Sequence, residues 1–257
     1  MSDLLVSTDD GVCTLTFNRP ARKNALTVAM YEAAVTALKA AADDGTIRVV
    51  LITGAGETFT SGNDVADFMA TPPTGDDSPV FQFLLTLQNF QKPIVIAVNG
   101  TAVGIGVTML LHADIVYVAN TATLKMPFTT LGLTGEGAST FLLPRMAGHA
   151  KAAELLLFGE NFDAATAVDV GLAARVVPGP ELLAFATARA KILANERPAS
   201  SLATTKRLMK AATADQVQKA LYDEAVEFAR HLGSAEAREA FTAFFEKRKP
   251  DFRQFIA

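Results

Sequence analysis

Three short apolar runs constrain this chain more than any other feature. IRVVLIT (47–53), PIVIAVNG (93–100) and ADIVYVA (113–119) are rich in β-branched residues and show no alternating polar face. A strand without a polar face has to be covered on both sides, which is the signature of a parallel sheet packed between other layers. Helical patterns separate the runs. Thr27 is a capping residue ahead of VAMYEAAVTALKAAADD, which keeps helical periodicity up to Gly45. Shorter helical patches are predicted at about 64–70, 79–91 and 102–111. Residues 4–18 read as a hairpin, LLVST and VCTLTFN, joined at Asp9-Asp10-Gly11. From 148 onward the pattern is mostly helical, broken at Gly159, Gly171, Pro178-Gly179-Pro180, Pro198 and Gly233. The expectation is an α/β fold with a helical C-terminal region.

Composition then excludes several classes. With 257 residues, 50% hydrophobic and 19% charged, the chain is neither fibrous nor disordered. No uninterrupted apolar run approaches the roughly 20 residues of a membrane span. The stretch MSDLLVSTDDG is acidic and lacks a basic-then-apolar order, so it does not read as a signal peptide. The single cysteine, Cys13, can form no internal disulfide and suits a buried small hydrophobe in VCTLTF. These features together predict a cytoplasmic protein. His112, His149 and His231 lack zinc-ligand spacing. A net charge of −4 argues against nucleic acid as a partner. The charge is uneven: residues 1–180 hold 10 Lys and Arg against 17 Asp and Glu, residues 181–257 hold 13 against 10. Solvated helix faces explain that excess as readily as an anionic ligand does.

Candidate chemistry sits in loops. Gly54-Ala55-Gly56 follows a buried strand, as a dinucleotide loop would, but Phe59 stands where that fingerprint needs its third glycine. Ser61-Gly62-Asn63-Asp64 and Gly104-Ile105-Gly106 are further loops of small residues after strands. Glycine there permits close backbone approach, and helix-opening N–H groups are unpaired donors, so two converging loops could hold an oxyanion; each alone is also an ordinary turn. Residues 126–144 (MPFTTLGLTGEGASTFLLP) contain a single charge, Glu136, between Gly135 and Gly137. Desolvation would raise such a carboxyl toward neutrality and suit it to proton transfer. A surface glutamate on a glycine loop, or a first-turn glutamate facing a helix dipole, fits the same pattern.

Four segments in order, NRPARKNAL (18–26), TFTSGNDV (58–65), KPIVIAVNGTAVGIGVT (92–108) and FFEKRKPDF (244–252), resemble the enoyl-CoA hydratase/isomerase (crotonase) superfamily. The resemblance implies a spiral of ββα turns with the acyl-CoA site (1–195) and a helical trimerisation region (196–257). It implies a homotrimer or dimer of trimers, an acyl-CoA thioester as ligand, and no metal or redox cofactor. It assigns the oxyanion hole to the N–H groups of Ser61 and Ile105. Lys23, Ala25 and Leu26 would line the CoA channel with the loop Ser61, Gly62, Asn63, Asp64 and Val65. Phe244 and Lys247 match C-terminal positions that reach CoA; the run Lys247-Arg248-Lys249 is expected on a helix ended by Pro250.

Departures from the family pattern choose among its reactions. Hydratases of the superfamily carry two glutamates, at positions occupied here by Thr108 and Phe128. The segment PFTTLGLTGEG (127–137) instead resembles the Δ3,Δ2-enoyl-CoA isomerase branch, whose single catalytic glutamate falls on Glu136. The expectation is therefore an enoyl-CoA isomerase of fatty acid metabolism. A hydratase with relocated chemistry, a dienoyl-CoA isomerase and a non-catalytic acyl-CoA-binding protein stay open as alternatives.

Overall fold

The computed structural model describes residues 2–72 and 75–255. The hairpin forms as its sequence requires. Strands β1 (Leu4–Asp9) and β2 (Val12–Phe17) pair antiparallel, and Asp10 and Gly11 both take positive φ in the two-residue turn that suits strand twist. Thr27 caps α1 (Val28–Asp43), its Oγ1 accepting from Met30 N at 3.3 Å.

From there the chain repeats one unit: a long buried strand, a three-residue strand in a second sheet, then helix. The first turn is β3 (Val49–Gly54), β4 (Thr58–Thr60), α2 (Val65–Ala70) and α3 (Pro79–Asn89). The second is β5 (Ile94–Val98), β6 (Thr101–Val103) and α4 (Ile105–Thr108). The third is β7 (Ile115–Ala119), β8 (Thr123–Lys125), α5 (Ser139–Ala147) and α6 (His149–Ala153). Then come β9 (Asn161–Asp163), α7 (Ala164–Asp169), β10 (Arg175–Val177) and α8 (Gly179–Glu196). Long strands assemble in the order β1-β2-β3-β5-β7-β10 and short ones in the order β4-β6-β8-β9. From β2 to β10 all neighbours in the large sheet are parallel. This is the spiral of ββα turns that the resemblance implies.

The three apolar runs become β3, β5 and β7, and Val49–Ile52 and Ile94–Val98 are completely buried. Helix α8 crosses these strands, burying Leu182, Ala186, Ala190 and Ala194 at four-residue spacing. The small strands were not anticipated. Residues 102–111, expected as one helix, instead finish β6, form α4, and pass into a 3-10 turn at Met109–His112. Three residues are too few to display a period.

Helices α9 (Ala199–Ala211), α10 (Ala214–Leu232) and α11 (Ala235–Phe245) follow. The buried stripe of α10 is Val217, Leu221, Glu224 and Phe228, with a carboxylate in an apolar series. Helix α11 stops earlier than expected. Lys247 takes φ +54, its N–H donates to Phe244 O (3.2 Å), and Arg248 N donates to Ala243 O (3.0 Å). That pair of bonds is a Schellman closure, so the basic run lies beyond the helix, before Pro250. No helix among the described residues is long and apolar enough to cross a membrane.

Candidate active site

The segment before α1 and the loop after β4 form a short ribbon. Ser61 N donates to Lys23 O (2.9 Å), Leu26 N to Gly62 O (2.8 Å) and Asp64 N to Leu26 O (2.8 Å). Two of the expected channel segments are thus brought side by side. The first oxyanion assignment needs correction, because Ser61's amide is already bonded to Lys23. In a parallel bridge the amides alternate in direction, so Asn63, paired with Leu26, turns its N–H away from the ribbon. Among the described residues, the N–H groups of Asn63 and Ile105 donate to no acceptor. Ile105 is the first residue of α4, where an unpaired amide is expected.

Gly62 makes the approach of these loops possible. Its φ is +86, and a Cβ there would stand 2.8 Å from Val103 O, just ahead of Gly104 and Ile105.

A cavity with about 530 Å³ of free space, open to solvent, lies beside Asn63. Its wall includes Phe68, Phe81, Leu84, Leu221 and Phe228, and one carboxylate among the described residues, Glu136. A second cleft, also open to solvent, adjoins it through shared Asn63, Phe68, Ser78 and Val80, and reaches Leu26 and Tyr31. Leu26 and Asn63 therefore line the cleft. Lys23 is exposed at the ribbon edge and Ala25 half-buried beside it. Asp64 serves structure instead: it accepts from Arg19 (3.1 Å) and caps α2, whose first residue is Val65. Phe244 is 58% exposed, and neither it nor Lys247 lines these cavities in the chain.

Glu136 accepts a hydrogen bond from Thr108 Oγ1. Some of its surface stays accessible as part of the pocket wall, but its carboxyl is otherwise enclosed by protein. Burial pushes that carboxyl up to about 8, Thr108 opposes the rise and Glu224 adds to it. Tyr31, pushed upward by burial and then by Glu136, stays a neutral donor to Asn63 Oδ1. Phe128 lies behind the wall, stacked edge-on against Phe228 with centroids 6.4 Å apart, and Phe228 meets Phe68 at 6.2 Å. The two expected hydratase positions thus hold a hydroxyl donor and a packing ring. Among the described residues, no three His, Cys, Asp or Glu side chains converge as metal ligands.

Sequence reasoning missed Asn63 as the free donor, and also Glu224 and His112, which surround the turn after Glu136. A signal for Glu224 existed: it occupies the buried i, i+4, i+7, i+11 series of α10, where a charge is out of place.

An acid enclosed in an apolar pocket, on a ββα spiral whose loops present free amides, defines a crotonase-type protein. The chain belongs to the enoyl-CoA hydratase/isomerase family, whose sequence profile matches residues 7–255. It is 35% identical over 253 residues to enoyl-CoA delta isomerase 2 of Rattus norvegicus, covering 96% of this chain and 64% of that protein. The chain thus spans less than two thirds of that relative. It is 36% identical over 260 residues to 1,2-epoxyphenylacetyl-CoA isomerase of Escherichia coli K12, covering 98% of each. The crystal structure of an enoyl-CoA hydratase/isomerase from Pseudoalteromonas atlantica T6c superposes with a TM-score of 0.93 at 41% identity, covering 98% of this chain and 100% of that one.

Proposed function

We propose that this protein shifts the double bond of a 3-enoyl-CoA into conjugation, giving the 2-enoyl-CoA. The observation that carries the reading is Glu136: the one carboxylate among the described residues of the apolar cavity wall, with its proton affinity raised to about 8. The thioester oxygen accepts from the N–H groups of Asn63 and Ile105, which stabilises the enolate and acidifies the α-carbon. Glu136 removes an α-proton as carboxylate and returns it to the γ-carbon as carboxylic acid. A group whose affinity lies near ambient pH performs both halves. Thr108 orients the carboxyl by donating to it. No metal or redox group is called for, since the proton travels on Glu136 and the thioester brings its own coenzyme A. The protein acts in this reading as a homotrimer or dimer of trimers in the cytoplasm.

Hydration of a 2-enoyl-CoA needs a water activated and oriented, normally by two carboxylates. Phe128, packed on Phe228, supplies no carboxylate at that place. The test is incubation with 3-hexenoyl-CoA and 2-hexenoyl-CoA side by side, with products identified by mass and retention. Isomerisation exceeding hydration by about 100-fold or more, the scale of one lost acid–base group, is expected. Comparable rates would overturn the isomerase reading.

A further inference from the structure

The turn that presents Glu136 does not hold itself. Gly137 and Ala138 are successive residues at φ +69 and +58, and the alanine has no intrinsic reason to stay there. The peptide joining them is gripped at both ends. Its C=O faces His112 Nε2 at 2.9 Å, and its N–H donates to Glu224 Oε2 at 2.6 Å. The other Glu224 oxygen accepts from Thr140 N (2.8 Å) and Thr140 Oγ1 (2.5 Å). Both grips are deeply buried: His112 is 0% exposed and Glu224 6%. We propose that Glu224 and His112 are positioning residues for Glu136, fixing the Gly137–Ala138 peptide plane so that the carboxyl meets Thr108 and the cavity. The proposal rests on Glu136 being the acid–base group.

The residue types follow from the hydrogen bonds. Three donors converge on the two oxygens of Glu224, and a carboxylate accepts at both oxygens with no donor of its own, which neither a carboxylic acid nor a carboxamide does. His112 must carry its proton on Nε2 to bond the Gly137 carbonyl. Burial, then the nearby Lys210 ammonium, hold the ring neutral, with its affinity lowered to about 3. Lys210 reaches the His112 C=O at 3.2 Å, and Nδ1, an acceptor in that tautomer, lies 3.1 Å from the Gln88 side-chain amide, whose NH2 must be the group turned toward it.

The charges facing Glu136 give the clamp a second effect. From α1 comes Tyr31, a neutral phenol; from α2, beyond it, Asp67; from α4, the uncharged Thr108; from the 3-10 turn, neutral His112; from α10, Glu224. Glu224 raises the proton affinity of Glu136, so removing its charge lowers that affinity. A purely structural support would not do this.

Glu224→Gln is compared with the wild type by steady-state kinetics and by titrating the Glu136 carboxyl with 13C-glutamate NMR, assigned using Glu136→Gln. The expected result is kcat reduced about 10- to 100-fold, as for a base displaced by a fraction of an ångström, with KM changed little. The Glu136 midpoint should fall by about half a pH unit or more. Thr140→Val should lose part of the rate, and Thr140→Ser, which keeps the hydroxyl, should restore it. A folded Glu224→Gln with unchanged kcat and midpoint would overturn the clamp, and so would equal losses in the two Thr140 variants. Full activity in Glu136→Gln would remove the acid–base reading instead, while the NMR midpoint still decides whether Glu224 acts on Glu136.

Discussion

In the proposed isomerisation Glu136 has to be both acid and base, and its surroundings set the pH at which that holds. Burial raises its affinity to about 8, so the free protein at neutral pH is mostly in the carboxylic acid form. Abstraction of the α-proton needs the carboxylate. kcat/KM for 3-enoyl-CoA should therefore rise about tenfold per pH unit below pH 8 and flatten above it. A flat profile between pH 6 and 9 would contradict the assignment. Glu136→Gln should lose at least about 100-fold in turnover while CoA-ester affinity, measured by calorimetry, changes little. The same substitution should stabilise the fold, and the sign follows from linkage. Between the unfolded value of 4.5 and about 8, the folded state binds more protons than the unfolded one, so stability falls as pH rises through that window. Glu224, pushed by burial to about 7, adds a loss of the same sign. Glu136→Gln removes its share, so urea unfolding at pH 8.5 should show a gain of about 2–4 kcal/mol, the scale of a few pKa units, and little at pH 5. Equal stability of variant and wild type at both pH values would mean the carboxyl is better solvated than its surroundings indicate.

At the scale of elements, the site is a meeting of loops whose separation is fixed by glycine. Gly62→Ala would place a methyl 2.8 Å from Val103 O at a φ of +86, pushing apart the loops that carry Asn63 and Ile105. A loss of about 100-fold in kcat/KM is expected, since a misplacement near 1 Å costs that much, together with about 1–3 kcal/mol of backbone strain. Gly45→Ala, with ordinary φ and nothing within 4 Å, is the control and should leave activity unchanged. The same scale shows what was legible in the sequence. Strands β3, β5 and β7 announce themselves because strands buried on both faces need unbroken apolar runs, and Thr27 announces α1 because its oxygen serves an orphan amide. Strands β4, β6 and β8 are invisible, since their pairing is imposed by the spiral rather than by local preference. Glu136 was legible as a lone charge in an apolar segment. Which amide of Ser61-Gly62-Asn63 stays free was not, because that depends on register against Leu26. The apolar series of α10 marks Glu224 as out of place, but not what it grips, since it arrives from 86 residues beyond Ala138.

In the whole molecule, the C-terminal helices complete the pocket rather than trail from the spiral. Helix α10 supplies Leu221 and Phe228 to the cavity, and α9 is anchored by the buried Lys206 to the rim of the large sheet and by the half-buried Lys210 to the 3-10 turn at His112. Lys206 Nζ pairs with Asp114 at 2.7 Å and donates to Lys92 O at 2.8 Å, while Asp114 also accepts from Ile94 N at 2.7 Å. The side chains are 5% and 10% exposed, so this pair is enclosed and its partners cannot fall back on water. Burial pulls the Lys206 affinity down and Asp114 opposes that fall. Breaking such a pair costs more than deleting it, because the surviving charge stays buried alone. Lys206→Met, similar in length and apolar, should therefore destabilise the protein by about 3–5 kcal/mol in urea unfolding at fixed chain concentration. Adding Asp114→Asn, which retains an acceptor for Ile94 N–H but no charge, should recover at least about half of that loss. Since α9 also carries Lys210 to the backbone of His112, the single variant should lower the temperature at which the proposed activity fails, with kcat at 25 °C changed less than about threefold. A Lys206→Met protein as stable as wild type would show that α9 is held by its apolar contacts alone, and a double variant less stable than the single one would show that Asp114 has a role beyond the pair.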